Sequence, residues 1–164
     1  MEMIRAMGRR LNFDDDEYYE EDGDTEWDET GRTMISHIYV AFDKFIRSIQ
    51  FGYLENGAQV LSTKYGSSEG SFRIVKLKED EYVTGLSGVL GKGGRGIRNL
   101  TFHTNRGHHG PIGRPSDKYL LGDEIEIEPE IRSRSEFGGF FGSSNDYRMT
   151  SIGIYVSPNN HREI

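Results

Sequence analysis

The chain has 164 residues, enough for one domain with a buried core, and its lack of cysteine excludes disulfides, thiolate metal sites and cysteine nucleophiles. Glycine is frequent at 21 residues and alanine is rare, which is typical of short strands and tight turns rather than of helical bundles. The net charge of −7 is unevenly distributed: residues 1–30 carry twelve acidic and three basic side chains, whereas residues 31–164 carry 15 acidic and 17 basic ones.

The acidic block at the start of the chain predicts an extension that does not pack, because like charges in one short segment repel one another. We therefore predict an acidic, disordered N-terminal arm over residues 1–22, a domain over residues 23–158 and a C-terminal tail over residues 159–164. The arm is either a solubilising extension or a docking segment for a protein partner. A nucleic-acid partner is not expected, because the arm is acidic and the body shows no basic stripe.

No apolar run has the length of a signal peptide or of a membrane span, so the sequence predicts no membrane partner. Together with the missing cysteines, this favours a cytoplasmic or nuclear location.

The body of the chain is dominated by alternation of apolar and polar residues, the pattern of half-buried strands. Candidate strands lie at residues 34–42, 46–53, 59–63, 72–77, 82–90, 97–105, 124–128, 137–142 and 151–156. Asn56-Gly57 is a strong signal for a tight hairpin between two of them. No segment has a convincing helical pattern, and the sequence predicts an all-β, antiparallel fold.

Local motifs offer little catalytic chemistry. The run Gly91-Lys92-Gly93-Gly94-Arg95-Gly96 lacks the ending of a phosphate-binding loop and indicates a flexible hairpin tip, whose two basic side chains could contact an acidic ligand. His108 and His109 are adjacent, so in a strand they would point to opposite faces and make a poor metal site. A nucleophile elbow is absent from the sequence, and we predict neither an enzyme nor a metal site.

Several ordered segments together resemble the jacalin-related lectin family of plants over about residues 23–158. They are residues 27–29, 82–88, 97–105, 110–113, 138–142 and 152–156. The resemblance implies a β-prism I fold, with three Greek-key antiparallel sheets related by pseudo-threefold symmetry. It also implies a lectin that binds glycans of the mannose/glucose or galactose type without a metal or other cofactor, and it leaves a homo-oligomer open.

The family's sugar site combines a glycine-rich segment before a Trp-Asp motif with a Gly-x-x-x-Asp loop before the last strand. Alignment on Trp27 and Ile152 carries this site over to Gly23, Asp24, Asp146, Tyr147, Arg148 and Thr150. Asp24 replaces a glycine that lets the sugar approach, and Thr150 replaces the sugar-binding carboxylate. The loop is also one residue longer than the family pattern, so Asp146 could take the place of that carboxylate, while Tyr147 and Arg148 fit the backbone-donor positions.

These departures predict an altered site that favours mannose/glucose-type glycans and binds simple mannose weakly or not at all. Restoring the family residues with Thr150→Asp and Asp24→Gly is expected to raise the affinity for mannose. The alternative is a jacalin-like protein-interaction module in plant defence that binds no sugar, since residues 137–140 also resemble family members that restrict virus movement.

Overall fold

The computed structural model describes residues 4–7, 24–113 and 121–157. Its strands are β1 (Ile4–Met7), β2 (Thr25–Asp28), β3 (Ile35–Phe42), β4 (Ile46–Glu55), β5 (Ala58–Leu61), β6 (Tyr65–Gly66), β7 (Ser71–Lys76), β8 (Val83–Gly91), β9 (Ile97–Thr104), β10 (Gly107–Ile112), β11 (Leu121–Ile127), β12 (Phe137–Ser144) and β13 (Met149–Val156). Two short 3-10 turns, Lys92–Gly94 and Arg134–Glu136, are the only helical segments in these ranges. None of the helical segments described is long and apolar enough to cross a membrane.

The strands form three antiparallel sheets. Sheet I has the order β1-β13-β12-β2, sheet II the order β5-β4-β3-β7 with β6 added beside β4, and sheet III the order β10-β9-β8-β11. In sheets II and III, three consecutive strands are followed by a fourth that returns beside the first, which is the Greek-key arrangement. Each sheet has a central hairpin: β12–β13, β3–β4 and β8–β9. The predicted all-β fold of three antiparallel sheets is therefore confirmed.

The three sheets share one core, to which each contributes a phenylalanine. Phe51 of sheet II stacks on Phe140 of sheet I with ring centroids 5.1 Å apart, and Phe102 of sheet III meets Phe140 edge-on at 6.0 Å. All three side chains are fully buried. Because large aromatic side chains bury much apolar surface, this triad contributes to the packing of the three sheets against one another.

One short strand lies within the region predicted to be a disordered arm. Ile4–Met7 form an edge strand of sheet I, with Ile4 opposite Val156 and Met7 opposite Gly153. The remaining positions of the predicted arm, and the predicted tail over residues 159–164, lie outside the described residues. The domain bounds 23–158 stay a prediction.

A buried carboxylate joins sheets I and II. Glu29, which follows β2 and is buried, accepts hydrogen bonds from the hydroxyl groups of Tyr53 at 2.8 Å and Tyr65 at 2.5 Å. Arg32 approaches the same carboxylate at 3.4 Å. Burial raises the pKa of both tyrosines well above the ordinary value, and the hydrogen bonds to Glu29 raise it further.

This arrangement predicts a loss of stability at alkaline pH. A tyrosine whose pKa is higher in the folded than in the unfolded state stabilises the fold fully below the unfolded pKa of about 10. Above that pH, the unfolded chain loses its proton first, so the free energy of unfolding should fall as the pH rises. Urea unfolding at a series of pH values tests this. The double variant Tyr53→Phe, Tyr65→Phe should have a shallower alkaline slope, and an unchanged slope would contradict the assignment.

Candidate functional site

The turn between β12 and β13, at residues 145–148, is held in shape by one asparagine. The Oδ1 atom of Asn145 accepts hydrogen bonds from the backbone N–H groups of Tyr147 at 2.8 Å and Arg148 at 3.0 Å. The Asn145 N–H in turn donates to the Arg148 carbonyl at 3.0 Å. Asparagine is favoured at such positions because its side chain mimics a backbone turn. The two N–H groups predicted to be sugar donors are therefore bonded within the turn.

Asp24, the residue before β2, lies beside this turn. The register pairs Thr25 of β2 with Ser144 of β12, which brings the preceding residue to the end of sheet I where the turn projects. The Asn145 Nδ2 atom donates to Asp24 Oδ1 at 3.3 Å. The two predicted parts of the site thus meet in space through Asp24 and Asn145, whereas Gly23 lies outside the described residues.

The tip of the turn exposes a carboxylate and an aromatic ring next to each other. Asp146 is exposed, and the side chain of Tyr147 has 71% of its surface accessible. The Tyr147 carbonyl accepts a hydrogen bond from Arg47 Nη1 at 3.0 Å, which ties the turn to sheet II. A carboxylate that accepts two hydrogen bonds and a ring with an apolar face are suited to polyhydroxylated ligands.

Thr150 lies in a different environment from its predicted neighbours. It is the second residue of β13 and its side chain is fully buried. Its hydroxyl lies 2.7 Å from that of Ser143 on β12, which in turn lies 2.6 Å from the hydroxyl of Ser151. In this conformation the Thr150 side chain faces the interior of the sheet, so Asp146 is the carboxylate that the turn presents to solvent.

A group of cations surrounds Phe45 at the same end of the fold. The Arg98 and Arg148 guanidinium carbons lie 4.0 and 4.4 Å from the centroid of the Phe45 ring. Arg98 Nη1 also donates to the carbonyl of Lys44 at 3.1 Å. The tips of the three central hairpins, at residues 43–45, 92–96 and 145–148, therefore converge on one ring.

Glycine allows this close meeting of the tips. Gly96 has a φ of +70°, and a Cβ atom there would lie 2.8 Å from the Phe45 ring and 3.1 Å from Arg148 Cδ. A larger residue would be strained in this conformation and would also separate the tips.

Sequence reasoning missed both Asn145 and the cation group. The signal for Asn145 was the asparagine two residues before Tyr147, an Asx-turn pattern. The signal for the cations was a repeat: Arg47, Arg98 and Arg148 are spaced 51 and 50 residues apart, one at each central hairpin. Internal periodicity of that length would have placed them at equivalent positions of three related sheets.

The paired histidines do not form a metal site with the residues around them. His109 Nε2 lies 2.8 Å from Oε2 of the buried Glu81, which also accepts a hydrogen bond from the Thr104 hydroxyl at 2.6 Å. Burial alone raises the pKa of Glu81, but these contacts and the Lys78 N–H hold it below the usual range. Over the described ranges, no three His, Cys, Asp or Glu side chains are grouped in a way that could hold a metal ion.

Comparison with known proteins places this geometry in a family. A family model described as the jacalin-like lectin domain matches residues 17–155. Jacalin-related lectin 24 of Arabidopsis thaliana is 54% identical over 142 residues, which are 82% of this chain and 62% of that protein. The protein RESTRICTED TEV MOVEMENT 1 of the same plant is 32% identical over 142 residues, 80% of this chain and 77% of that one.

Among solved structures, an artocarpin–mannotriose complex has 27% sequence identity and a TM-score of 0.66, covering 84% of this chain and 92% of that one. The chain spans less than two thirds of the length of jacalin-related lectin 24. The family match nevertheless extends over most of the chain and agrees with the three-sheet architecture. The chain belongs to the jacalin-like lectin domain family.

Proposed function

We propose that this chain binds glycans of the mannose/glucose type at the β12–β13 turn, with the Asp146 carboxylate as the charged acceptor for sugar hydroxyls. The observation that carries the proposal is the exposed pair formed by Asp146 and Tyr147 on a turn fixed by Asn145. The carboxylate accepts two hydroxyl hydrogen bonds, and the Tyr147 ring packs against the apolar face of the sugar. The choice of mannose is supported by the mannotriose bound in the artocarpin complex.

The site is altered in its donors. Because the N–H groups of Tyr147 and Arg148 are bonded to Asn145, a sugar gains no new backbone hydrogen bond there unless Asn145 is displaced. Each such exchange gives little net free energy, since one hydrogen bond replaces another. Monosaccharide binding with a dissociation constant near 1 mM corresponds to only about −4 kcal/mol, so the loss of two donors has a large relative effect. We expect methyl-mannoside to bind more weakly than mannotriose, which has further sugar units to contact the protein.

The proposal predicts that Asp146→Asn lowers the affinity for mannotriose about ten-fold or more. A hydrogen bond to a charged acceptor contributes about 1.5–3 kcal/mol, and the amide removes the charge without changing the size of the side chain. Isothermal calorimetry with mannotriose, methyl-mannoside and galactose measures this. Glu126→Gln is the matched control, because Glu126 is an exposed carboxylate on β11 of sheet III and should not affect binding. Mannotriose binding that survives Asp146→Asn unchanged would contradict the proposed site.

The second candidate function is a protein-interaction module in plant defence that binds no sugar. It is favoured by the similarity to RESTRICTED TEV MOVEMENT 1 over 80% of this chain and by the donor-poor turn. In this case the acidic segment within residues 1–22 is the contact for a basic protein partner. A glycan array on which no mannose, glucose or galactose glycan binds would favour this function over the first.

We also propose a cytoplasmic or nuclear location, on the ground that the chain contains no cysteine. A fluorescent fusion of the full chain in plant cells tests it directly.

A further inference from the structure

The converging hairpin tips concentrate positive charge. We call their six basic residues the tip cluster: Lys44, Arg47, Lys92, Arg95, Arg98 and Arg148. The acidic residues on the same segments, 43–47, 91–98 and 144–149, are Asp43 and Asp146. These segments therefore carry a net charge of +4, whereas residues 31–164 as a whole carry +2. An otherwise slightly acidic body thus has one strongly basic end.

One charge of the tip cluster is buried without a compensating ion pair. Arg98 is only 6% exposed, and its Nε atom has no hydrogen-bond partner. Its side chain donates to the Lys44 carbonyl, and no carboxylate forms an ion pair with it among the residues that the structure describes. Burial lowers the pKa of the guanidinium and the nearby charge of Arg148 lowers it further, while the charge of Asp43 opposes these two effects only in part. Leaving such a charge unpaired is costly unless an anion approaches it.

Two charges of the tip cluster are positioned by an aromatic ring. Arg98 and Arg148 both lie against the Phe45 ring, and such cation–π contacts orient the guanidinium groups. Asp43, the nearest acid on the tips, is engaged by Arg47 with N–O distances of 2.9 Å. Lys44, Lys92 and Arg95 are exposed around this centre. The basic side chains at the edge of the tip cluster are therefore accessible to a ligand from solvent.

We propose that the tip cluster binds an anionic substituent, a sulfate or a carboxylate, carried by the glycan that the β12–β13 turn holds. The inference rests on the proposed function, because Asp146 and Tyr147 set the position of the sugar. Arg148 follows Tyr147 directly in the chain, and Arg47 bonds the Tyr147 carbonyl. A charged substituent on a sugar seated at Tyr147 would lie near Arg148, whose side chain packs beside Gly96 on the tip that carries Lys92 and Arg95. Guanidinium groups suit this role because they bind planar and tetrahedral oxyanions with paired hydrogen bonds.

Calorimetry with matched oligosaccharides tests the inference on the full chain. The probes are mannotriose, singly sulfated mannotriose, and a trisaccharide of the same linkage that ends in a uronic acid. At low salt we expect at least one charged probe to bind about ten-fold more tightly than mannotriose, a difference of about 1.4 kcal/mol. The advantage should shrink as salt rises from about 0.01 M to about 1 M, since the Debye length falls from about 30 to about 3 Å. The two charged probes distinguish sulfate from carboxylate as the preferred group.

The variant pair Lys92→Ala, Arg95→Ala should remove most of this advantage while leaving mannotriose binding unchanged. Both side chains are exposed, so the fold should tolerate the change, which replacement of the buried Arg98 would not guarantee. Lys76→Ala, Lys78→Ala is the matched control: it removes the same charge from exposed positions near the opposite end of sheet II, where Lys76 pairs with His37. The control should retain the full advantage.

The outcomes separate the inference from the proposed function. Equal binding of neutral and charged probes would overturn the tip cluster as an anion site and leave the neutral glycan site standing. If both variant pairs lost the tighter binding of the charged probes to the same extent, the inference would also be overturned, because that binding would then depend on the net charge of the protein alone. If none of the three probes binds, the proposed function fails and the inference fails with it.

Discussion

The substitution Thr150→Asp is expected to lower the free energy of unfolding by about 3–5 kcal/mol instead of creating a sugar-binding carboxylate. The side chain of Thr150 is fully buried in β13, where its hydroxyl contacts only the hydroxyl of Ser143 among the hydrogen bonds described. A carboxylate at this position would lose its hydration without gaining a cation. The expectation drawn from the family alignment, that this change together with Asp24→Gly raises mannose affinity, is therefore replaced by one of reduced stability.

Urea unfolding measures the effect, and Thr150→Val is the control that removes the hydroxyl without adding charge. Loss of the bond to Ser143 should lower the stability by only about 1 kcal/mol. Burial raises the pKa of the new carboxyl in the folded state, so the penalty relative to wild type should be largest at neutral pH, shrink as the pH falls toward about 4, and level off below that, where the carboxyl is protonated in both states. A stable Thr150→Asp variant with tighter mannotriose binding would show that residue 150 faces the ligand.

The sequence predicts the positions of the central hairpins, although β12 and β13 are buried along their whole length rather than at alternate residues. Asn56 and Gly57 have φ values of 53° and 79°, as required by the tight hairpin turn that this dipeptide predicts. β10 was not predicted as a strand, since its sequence Gly-His-His-Gly-Pro-Ile shows no alternation. It lies at the edge of sheet III. A proline is tolerated in an edge strand because its missing N–H group can face the side that has no neighbouring strand, so no hydrogen bond between strands is lost.

The candidate site is harder to predict than the fold, because its features depend on tertiary contacts. Alignment locates the β12–β13 turn, but it cannot show that Thr150 points inward or that Asn145 occupies the N–H groups of its own turn. The tip cluster is assembled from hairpins about 50 residues apart, so no stretch of sequence looks basic. The order of charges along a sequence reveals basic residues that cluster on a single strand or helix. A cluster built from three equivalent loops can be recognised only once the fold is known.

The second large effect is expected from Gly142→Ala, which should lower the free energy of unfolding by about 3 kcal/mol. Gly142 lies in β12 between Ile152 of β13 and Trp27 of β2. A Cβ atom there would lie 2.3 Å from the Ser151 carbonyl oxygen and 2.7 Å from the Trp27 ring. Neither neighbour can yield easily, because one is strand backbone and the other is a buried ring stacked on Tyr65 with centroids 4.7 Å apart.

Gly52→Ala is the matched control for this effect. Gly52 is also a strand glycine of ordinary φ, but its added Cβ would lie 3.3 Å from His37 Cβ and 3.4 Å from the Tyr39 ring. These contacts need shifts of only a few tenths of an ångström, so the cost should stay below about 1 kcal/mol. Thermal or urea unfolding of both variants decides the matter. Equal losses would mean that a methyl group anywhere in the strands is disruptive, whereas a loss confined to Gly142→Ala shows that the close approach of Gly142 to Ser151 and Trp27 is required for β2, β12 and β13 to pack together.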